Sequence, residues 1–295
     1  MAQALLIIAK IFGALPLALR SLFGKVAGTF LSLFPTRDRR IARLQLQRFL
    51  PAEVERPSIA AVYANLGQAF MESLNILGIL DRAPLGIIDA PPADFFASVR
   101  ASERPIITLT AHTSNWDLLA AYCIKHGLPL AAVGKKARNP IFQELLDHMR
   151  AAYGIKTIWR EQPGAAKELI RALQPGSIVA ALIDQDTTVA GRFIPFLGEQ
   201  AYTPDSLVEL GKRRNARFFS AFIARTCLCR YKFFIEEIPS SLSESEILTE
   251  YHHHLERFIC TYPSQWVWVH KRWRTRPNGV RLSSAEYLKF LTSKT

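Results

Sequence analysis

From residue 105 onward, short β-prone runs alternate with helical segments, and this alternation constrains the fold more than any other feature. PIITLT (105–110), LPLAAV (128–133), IKTIW (155–159), SIVAALI (177–183), ARFFSAFI (216–223) and YKFFIEE (231–237) read as strands. Helical segments fall between them near 115–126, 140–153, 163–173 and 203–214, with another near 243–262. Strand joined to strand through a helix requires a crossover, so the expected fold is α/β, with a mixed, mainly parallel central sheet flanked by helices. Upstream, Ile59, Val62, Leu66, Phe70, Leu74 and Leu77 recur at three- and four-residue steps, predicting one long amphipathic helix. YKFFIEE and the helix after it extend the sheet edge rather than open a second domain. No repeat, low-complexity tract or linker interrupts the chain.

The N-terminus has a different character. MAQALLIIAKIFGALPLALR is almost wholly apolar, and SLFGKVAGTFLSLF and then TRDRRIARLQLQR follow it. At about 1.5 Å per residue the first stretch approaches the roughly 30 Å of a bilayer core, but Lys10 near its middle would cost about 2.5–3.5 kcal/mol there. A hydrophobic membrane helix is expected, either spanning or lying in the interface, so that residues 1–35 form an anchor and 36–295 the catalytic domain. The net charge of +12 is concentrated at the two ends: residues 1–50 hold eight Lys or Arg against Asp38, and 271–295 hold seven against Glu286. Such a field attracts nucleic acid, anionic lipid or acidic proteins alike, and the adjoining apolar segment favours an anionic membrane surface. Four cysteines without C-x-x-C spacing indicate neither a zinc site nor a disulfide framework, and fit a reducing compartment.

PIITLTAHTSNWDLLAAYCIKHG is a buried strand, a short polar turn and a helix, which places His112 at a strand's carboxyl end, where α/β sheets gather ligands. Asp117 in the first helical turn is spaced to face His112 and to fix one imidazole nitrogen, leaving the other to accept a proton from a hydroxyl. The competing structural reading is that Ser114-Asn115-Trp116-Asp117 is simply a capping box. If the two side chains pointed apart, or His112 were sealed from any apolar channel, the enzymatic reading would lose its footing.

HTSNWD resembles the H-x-x-x-x-D/E signature of lysophospholipid and glycerolipid acyltransferases and, more narrowly, of the bacterial lipid A biosynthesis (lauroyl/myristoyl) acyltransferases. Further blocks follow in that family's order. KKARNP, with Arg138 and Asn139, is similar to its second block; DQD (184–186) followed by GRFIPFLGEQAYTP is similar to its third. YPSQWVWVHKRWRTRPNG resembles its closing element. Asp117 stands where the lipid A enzymes usually carry Glu, and Arg274 where they often carry Lys.

The resemblance implies transfer of a fatty acyl chain from an acyl thioester, on acyl carrier protein or coenzyme A, to a hydroxyl of a lipid A precursor or similar anionic glycolipid. It implies His112 and Asp117 as catalytic residues, no metal and no cofactor beyond the thioester co-substrate, and a place at the cytoplasmic face of a bacterial inner membrane. Asn115, Arg138, Asn139, Asp184, Asp186, Arg272 and Arg274 are the candidate substrate contacts. Arg138 and the backbone N–H groups of residues 112–115 are candidate oxyanion donors. A lysophospholipid or aminolipid O-acyltransferase is the second reading, and a non-catalytic protein that binds membrane or nucleic acid is a third. No nucleic-acid module surrounds Trp266, Trp268 and Trp273, so nucleic acid is not expected as a partner. His252, His253 and His254, about 100° apart on a helix, do not converge on a metal.

Overall fold

A computed structural model describes residues 2–82 and 86–293; Met1, Lys294 and Thr295, the outermost residues of the expected anchor and domain, lie outside it. The apolar N-terminus forms α1 (Ala2–Ala14) and α2 (Leu17–Leu31), split at Pro16, whose fixed φ and missing N–H cannot continue a helix. The single hydrophobic membrane helix expected here therefore needs correcting. Among the described residues no helix is long and apolar enough to cross a membrane.

Helices α3 (Arg37–Phe49), α4 (Ile59–Ser73) and α5 (Ile76–Leu80) follow. The one long helix expected from residue 59 is two, because Asn75 leaves helical geometry at φ −154° and caps α5 through the Gly78 N–H. The α/β region then runs β1 (Ile88–Asp89), α6 (Ala93–Arg100), β2 (Ile106–Thr110), α7 (Trp116–Lys125), β3 (Leu130–Gly134), α8 (Pro140–Ala152), β4 (Lys156–Trp159), α9 (Ala165–Ala172) and β5 (Ile178–Leu182). It continues through β6 (Gly191–Phe196), β7 (Glu199–Pro204), α10 (Ser206–Arg213), β8 (Arg217–Cys227), β9 (Arg230–Ile238), α11 (Glu244–Thr261) and α12 (Ser284–Thr292).

Seven strands form one sheet in the order β1-β9-β8-β2-β5-β3-β4. All its pairings are parallel except β8 with β9, a hairpin whose return strand sets the antiparallel edge. The mixed, mainly parallel sheet expected from the alternation is what forms. Ile107 and Leu109 of β2 point to one face, packing with α3, α11 and Trp266, Trp268 and Trp273; Ile106 points to the other, with α6, α7 and α8. Burial on both faces explains why β2 reads as a continuous apolar run. The segment 191–204, read only as a motif, is a two-stranded hairpin turning at Leu197 and Gly198, both at positive φ.

Helices α2 and α4 cross in close contact because glycines face each other. A Cβ on Gly67 would stand 2.2 Å from the Gly24 carbonyl oxygen, and one on Gly28 would stand 2.1 Å from that of Tyr63. Gly28→Val should therefore destabilise the protein by about 1–3 kcal/mol through overpacking, measured by chemical denaturation; a change within experimental error would show that the helices do not pack this closely.

Candidate active site

The site begins with strand register. Strands β2 and β5 are parallel neighbours with Thr110 opposite Leu182, so residues two positions beyond each, His112 and Asp184, emerge side by side at the carboxyl edge. One Asp184 oxygen lies 2.8 Å from His112 Nδ1; the other accepts from the His112 backbone N–H at 3.0 Å and from the Trp266 indole at 2.9 Å. Asp184 is fully buried. Burial alone would raise its pKa, but the His112 charge, its two hydrogen bonds and the indole outweigh that and hold the carboxyl at about 2. A carboxylate on Nδ1 leaves Nε2 as the free position of the imidazole. Nε2 faces the Gln185 amide at 3.4 Å.

Asp117 is engaged elsewhere. Its carboxylate pairs with Arg150 of α8 at 3.1 Å, and the carboxylate meeting His112 is that of Asp184. The capping box is not formed either: Asn115 caps α7 by accepting from the Leu118 N–H at 3.1 Å. Ser114 takes a positive φ of 41°, and its N–H bonds the Gln265 carbonyl, so the turn is pinned to the closing element. The N–H groups of His112, Thr113 and Ser114 all have partners within the protein. The buried Nδ2 of Asn115 has none, while its Oδ1 is occupied by Leu118 N–H and faces Ser73 Oγ.

Two apolar spaces reach this turn, and a polar one adjoins Gln185. An apolar cavity runs under α7, lined by Phe96, Ile106, Leu119, Leu130, Ile178 and Phe219, with Trp116 and Asp117 at one end. A second apolar groove lies between α4 and α8, lined by Phe70, Phe142, Leu146 and Met149, and also reaches Asn115, Trp116 and Asp117. The Trp116 ring packs edge-on against His112 at 4.9 Å. The polar cavity is lined by Lys135, Lys136, Arg138, Arg160, Lys271, Arg274 and Arg281, against Asp38 and Asp186. Gln185 and His270 also line it. Burial pushes His270 down to about 3, so its imidazole is neutral; its Nδ1 is buried without a partner.

The remaining candidates fall in different places. Arg138 and Arg274 line the basic cavity. Asp186 is buried behind it, bonded to Arg281 at 2.6 Å and to the Thr275 N–H at 2.7 Å. Asn139 caps α8 through Ile141 and Phe142 N–H. Arg272 turns inward, fully buried, donating to the Tyr202 carbonyl, Thr203 Oγ1 and His252. Among the described residues no group of His, Cys, Asp and Glu is arranged to hold a metal ion. Arg150 and the partnership of Asp184 with His112 escaped the sequence reading. The signal for the latter was partial: each residue closely follows a β-run, but the equal spacing of two appears only with the strand ends at Thr110 and Leu182.

The family model of the bacterial lipid A biosynthesis acyltransferases matches residues 2–275. The chain belongs to that family. It is similar to the lipid A biosynthesis palmitoleoyltransferase of Escherichia coli (strain K12), 23% identical over 278 residues that cover 90% of this chain and 88% of that protein. The lipid A biosynthesis acyltransferase of Shigella flexneri matches at the same identity and coverage. The protein is thus an acyltransferase.

The depressed carboxyl gives a signed pH dependence. Asp184 contributes stability above the ordinary carboxylate value near 4, and that contribution is lost as the pH falls toward about 2. The difference in unfolding free energy between wild type and Asp184→Asn should be largest above pH about 4 and shrink toward pH about 2, as followed by denaturant titration across that range.

Proposed function

We propose that this acyltransferase moves a fatty acyl chain from an acyl thioester to a hydroxyl of a lipid A precursor or a closely similar anionic glycolipid, with His112 as general base. The observation that carries this is the Asp184–His112 Nδ1 contact, which leaves Nε2 beside Gln185 of the basic cavity while the ring packs on Trp116 at the end of the apolar one. Chain and phosphate of a lipid substrate need opposite surroundings, and the reacting hydroxyl must lie where the two adjoin. The names of the relatives support lipid A as the acceptor class. A surface rich in Lys and Arg favours an acidic acyl carrier protein over coenzyme A as donor. The lipid acceptor places the reaction at a membrane surface, taken here as the cytoplasmic face of the bacterial inner membrane.

In the proposed cycle Nε2 of His112 takes the hydroxyl proton as the oxygen attacks the thioester carbon. Asp184 holds Nδ1–H and balances the imidazolium. The tetrahedral oxyanion collapses with cleavage of the C–S bond, and the leaving thiolate receives the proton from Nε2. Asn115 supplies a donor for the oxyanion, because its Oδ1 is fixed by the helix cap and its free Nδ2 is buried at the groove wall. Asp117 keeps Arg150 in place where the cavity meets the groove, and so positions the reacting end of the acyl chain. Lys271, Arg138 and Arg274 hold acceptor phosphate.

His112→Ala should lower kcat by about 10²–10⁴-fold, and Asp184→Ala by a comparable factor, in transfer from acyl carrier protein to lipid A precursor; a variant of either retaining near-wild-type kcat would overturn the mechanism. Asn115→Asp separates its two duties. Aspartate caps a helix as well as asparagine, so thermal stability should hold while kcat falls by about 10²–10³-fold. Lys271→Ala with Arg274→Ala should raise KM for the acceptor at least about tenfold with little change in kcat. Mass spectrometry of lipids from cells lacking the protein tests the acceptor: one acyl chain missing from lipid A is expected, and unchanged lipid A with an altered phospholipid would transfer the assignment to a lysophospholipid acceptor.

A further inference from the structure

The basic cavity is not basic throughout. Beside its cations it is lined by three neutral polar side chains, Gln185, Thr187 and His270. Each carries a hydrogen-bonding atom that the protein leaves free or holds loosely. Gln185 Nε2 meets His112 Nε2 only at 3.4 Å, beyond the ordinary range of a hydrogen bond. Thr187 Oγ1 and His270 Nδ1 are buried and have no partner among the described residues. A buried polar atom left unpaired costs free energy, and native proteins keep few of them. Two on one cavity, beside a weakly held amide, mark a surface made for a ligand that brings its own hydrogen bonds.

The backbone that carries these groups is fixed. The His270 carbonyl accepts from the buried Gln45 amide at 2.9 Å, and its N–H bonds the Val267 carbonyl at 3.2 Å. The Thr187 carbonyl accepts from Arg281 at 2.8 Å, and Asp186 before it accepts the Thr275 N–H. The side chains are not so committed. The His270 ring can turn about its Cβ–Cγ bond, a broad torsion, and Nδ1 gives up no hydrogen bond in doing so. Chemistry then separates two kinds of ligand group. A phosphate offers acceptors alone, and the cations serve it. A neutral imidazole, a threonine hydroxyl and a carboxamide each combine donor with acceptor, as the hydroxyls of a sugar do. Burial keeps His270 uncharged, so it adds no further cation.

We propose that Gln185, Thr187 and His270 form a neutral subsite that holds sugar hydroxyls of the acceptor beside its phosphate, and so selects a phosphorylated sugar over a phosphorylated glycerol. On binding, the Gln185 amide yields its place at His112 Nε2 to the reacting hydroxyl. The two buried orphans gain partners at the same time. The inference rests on the proposed reading in taking this cavity as the acceptor's, and it names the groups that read the headgroup. Headgroup binding is scored without turnover, so either can fail alone.

The test titrates the full chain with inorganic phosphate, glycerol 3-phosphate and glucose 1-phosphate, read by ligand-observed NMR. Wild type should bind glucose 1-phosphate at least about tenfold more tightly than either of the others. Gln185→Leu, Thr187→Val and His270→Ala should each raise the Kd for glucose 1-phosphate about three- to tenfold, and leave that for inorganic phosphate within about twofold. His270→Asn, whose amide stands close to the place of Nδ1, should recover most of the loss, which a ring that only filled space would not allow. Lys271→Ala with Arg274→Ala should weaken all three ligands alike. Thermal midpoints identify a variant that folds poorly, and the near-isosteric Thr187→Val carries the test if His270→Ala does so. Equal affinity of wild type for the sugar and glycerol phosphates, substitutions that weaken inorganic phosphate as much as glucose 1-phosphate, or substitutions that change neither would each overturn the inference.

Discussion

A single buried carboxylate joins the three parts of this molecule that must meet for chemistry. Asp184 leaves the end of β5, accepts from both the backbone and the ring of His112 beyond β2, and accepts from the indole of Trp266 in the closing element. Three donors on one carboxylate compensate for its removal from water, which is why it stays ionised at full burial. The same bonds fix the tautomer and the direction of His112. With Nδ1 so held, Nε2 faces the Gln185 amide, and the imidazole keeps little freedom to turn.

A second polar network supports the first from behind. Glu72 of α4 pairs with Arg225 of β8 at 2.7 Å in the interior. Arg225 also bonds Asn65, and its backbone N–H and C=O bond the two ends of the Gln265 amide. Gln265 in turn receives the Ser114 N–H, so the turn after His112 is braced by residues far from it in sequence. Glu72 also accepts from Ser21, which brings the N-terminal helix into the same network. A buried ion pair of this kind adds little net stability but is costly to break on one side. Its value here is to fix one arrangement of α2, α4, β8 and the site turn.

Much of this was legible in the sequence. Each β-run from 105 to 237 became a strand; those of the parallel core, β2 and β5 above all, are covered on both faces and need unbroken apolar stretches, which are visible without neighbours. His112 was legible as the residue at a strand's end. Its partner was not, because Asp117 is close in sequence whereas Asp184 is close only once the order of strands is known. Local spacing also favoured a capping box, yet Asn115 makes the cap and Asp117 is drawn to Arg150 across the interior. Arg272 shows the opposite failure: an arginine in a basic stretch was read as a substrate contact, but the chain folds it under the hairpin of β6 and β7, where it donates to Tyr202 and Thr203. The apolar N-terminus was visible as such, but Pro16 and the glycine contacts with α4 set its length and orientation.

Strand register has one more consequence. The segment between β2 and β5 contains α7, β3, α8, β4 and α9, and so supplies much of the wall of both apolar spaces and part of the basic one. Yet the spacing of His112 from Asp184 is set by the direct pairing of β2 with β5, beside which this whole excursion is a loop. Insertions, deletions or repacking within it can reshape the apolar spaces while the His112–Asp184 pair stays put. The walls of the cavities and the geometry of that pair are thus housed in separable stretches of one polypeptide, and under the proposed mechanism selectivity for different chains can change without rebuilding the base.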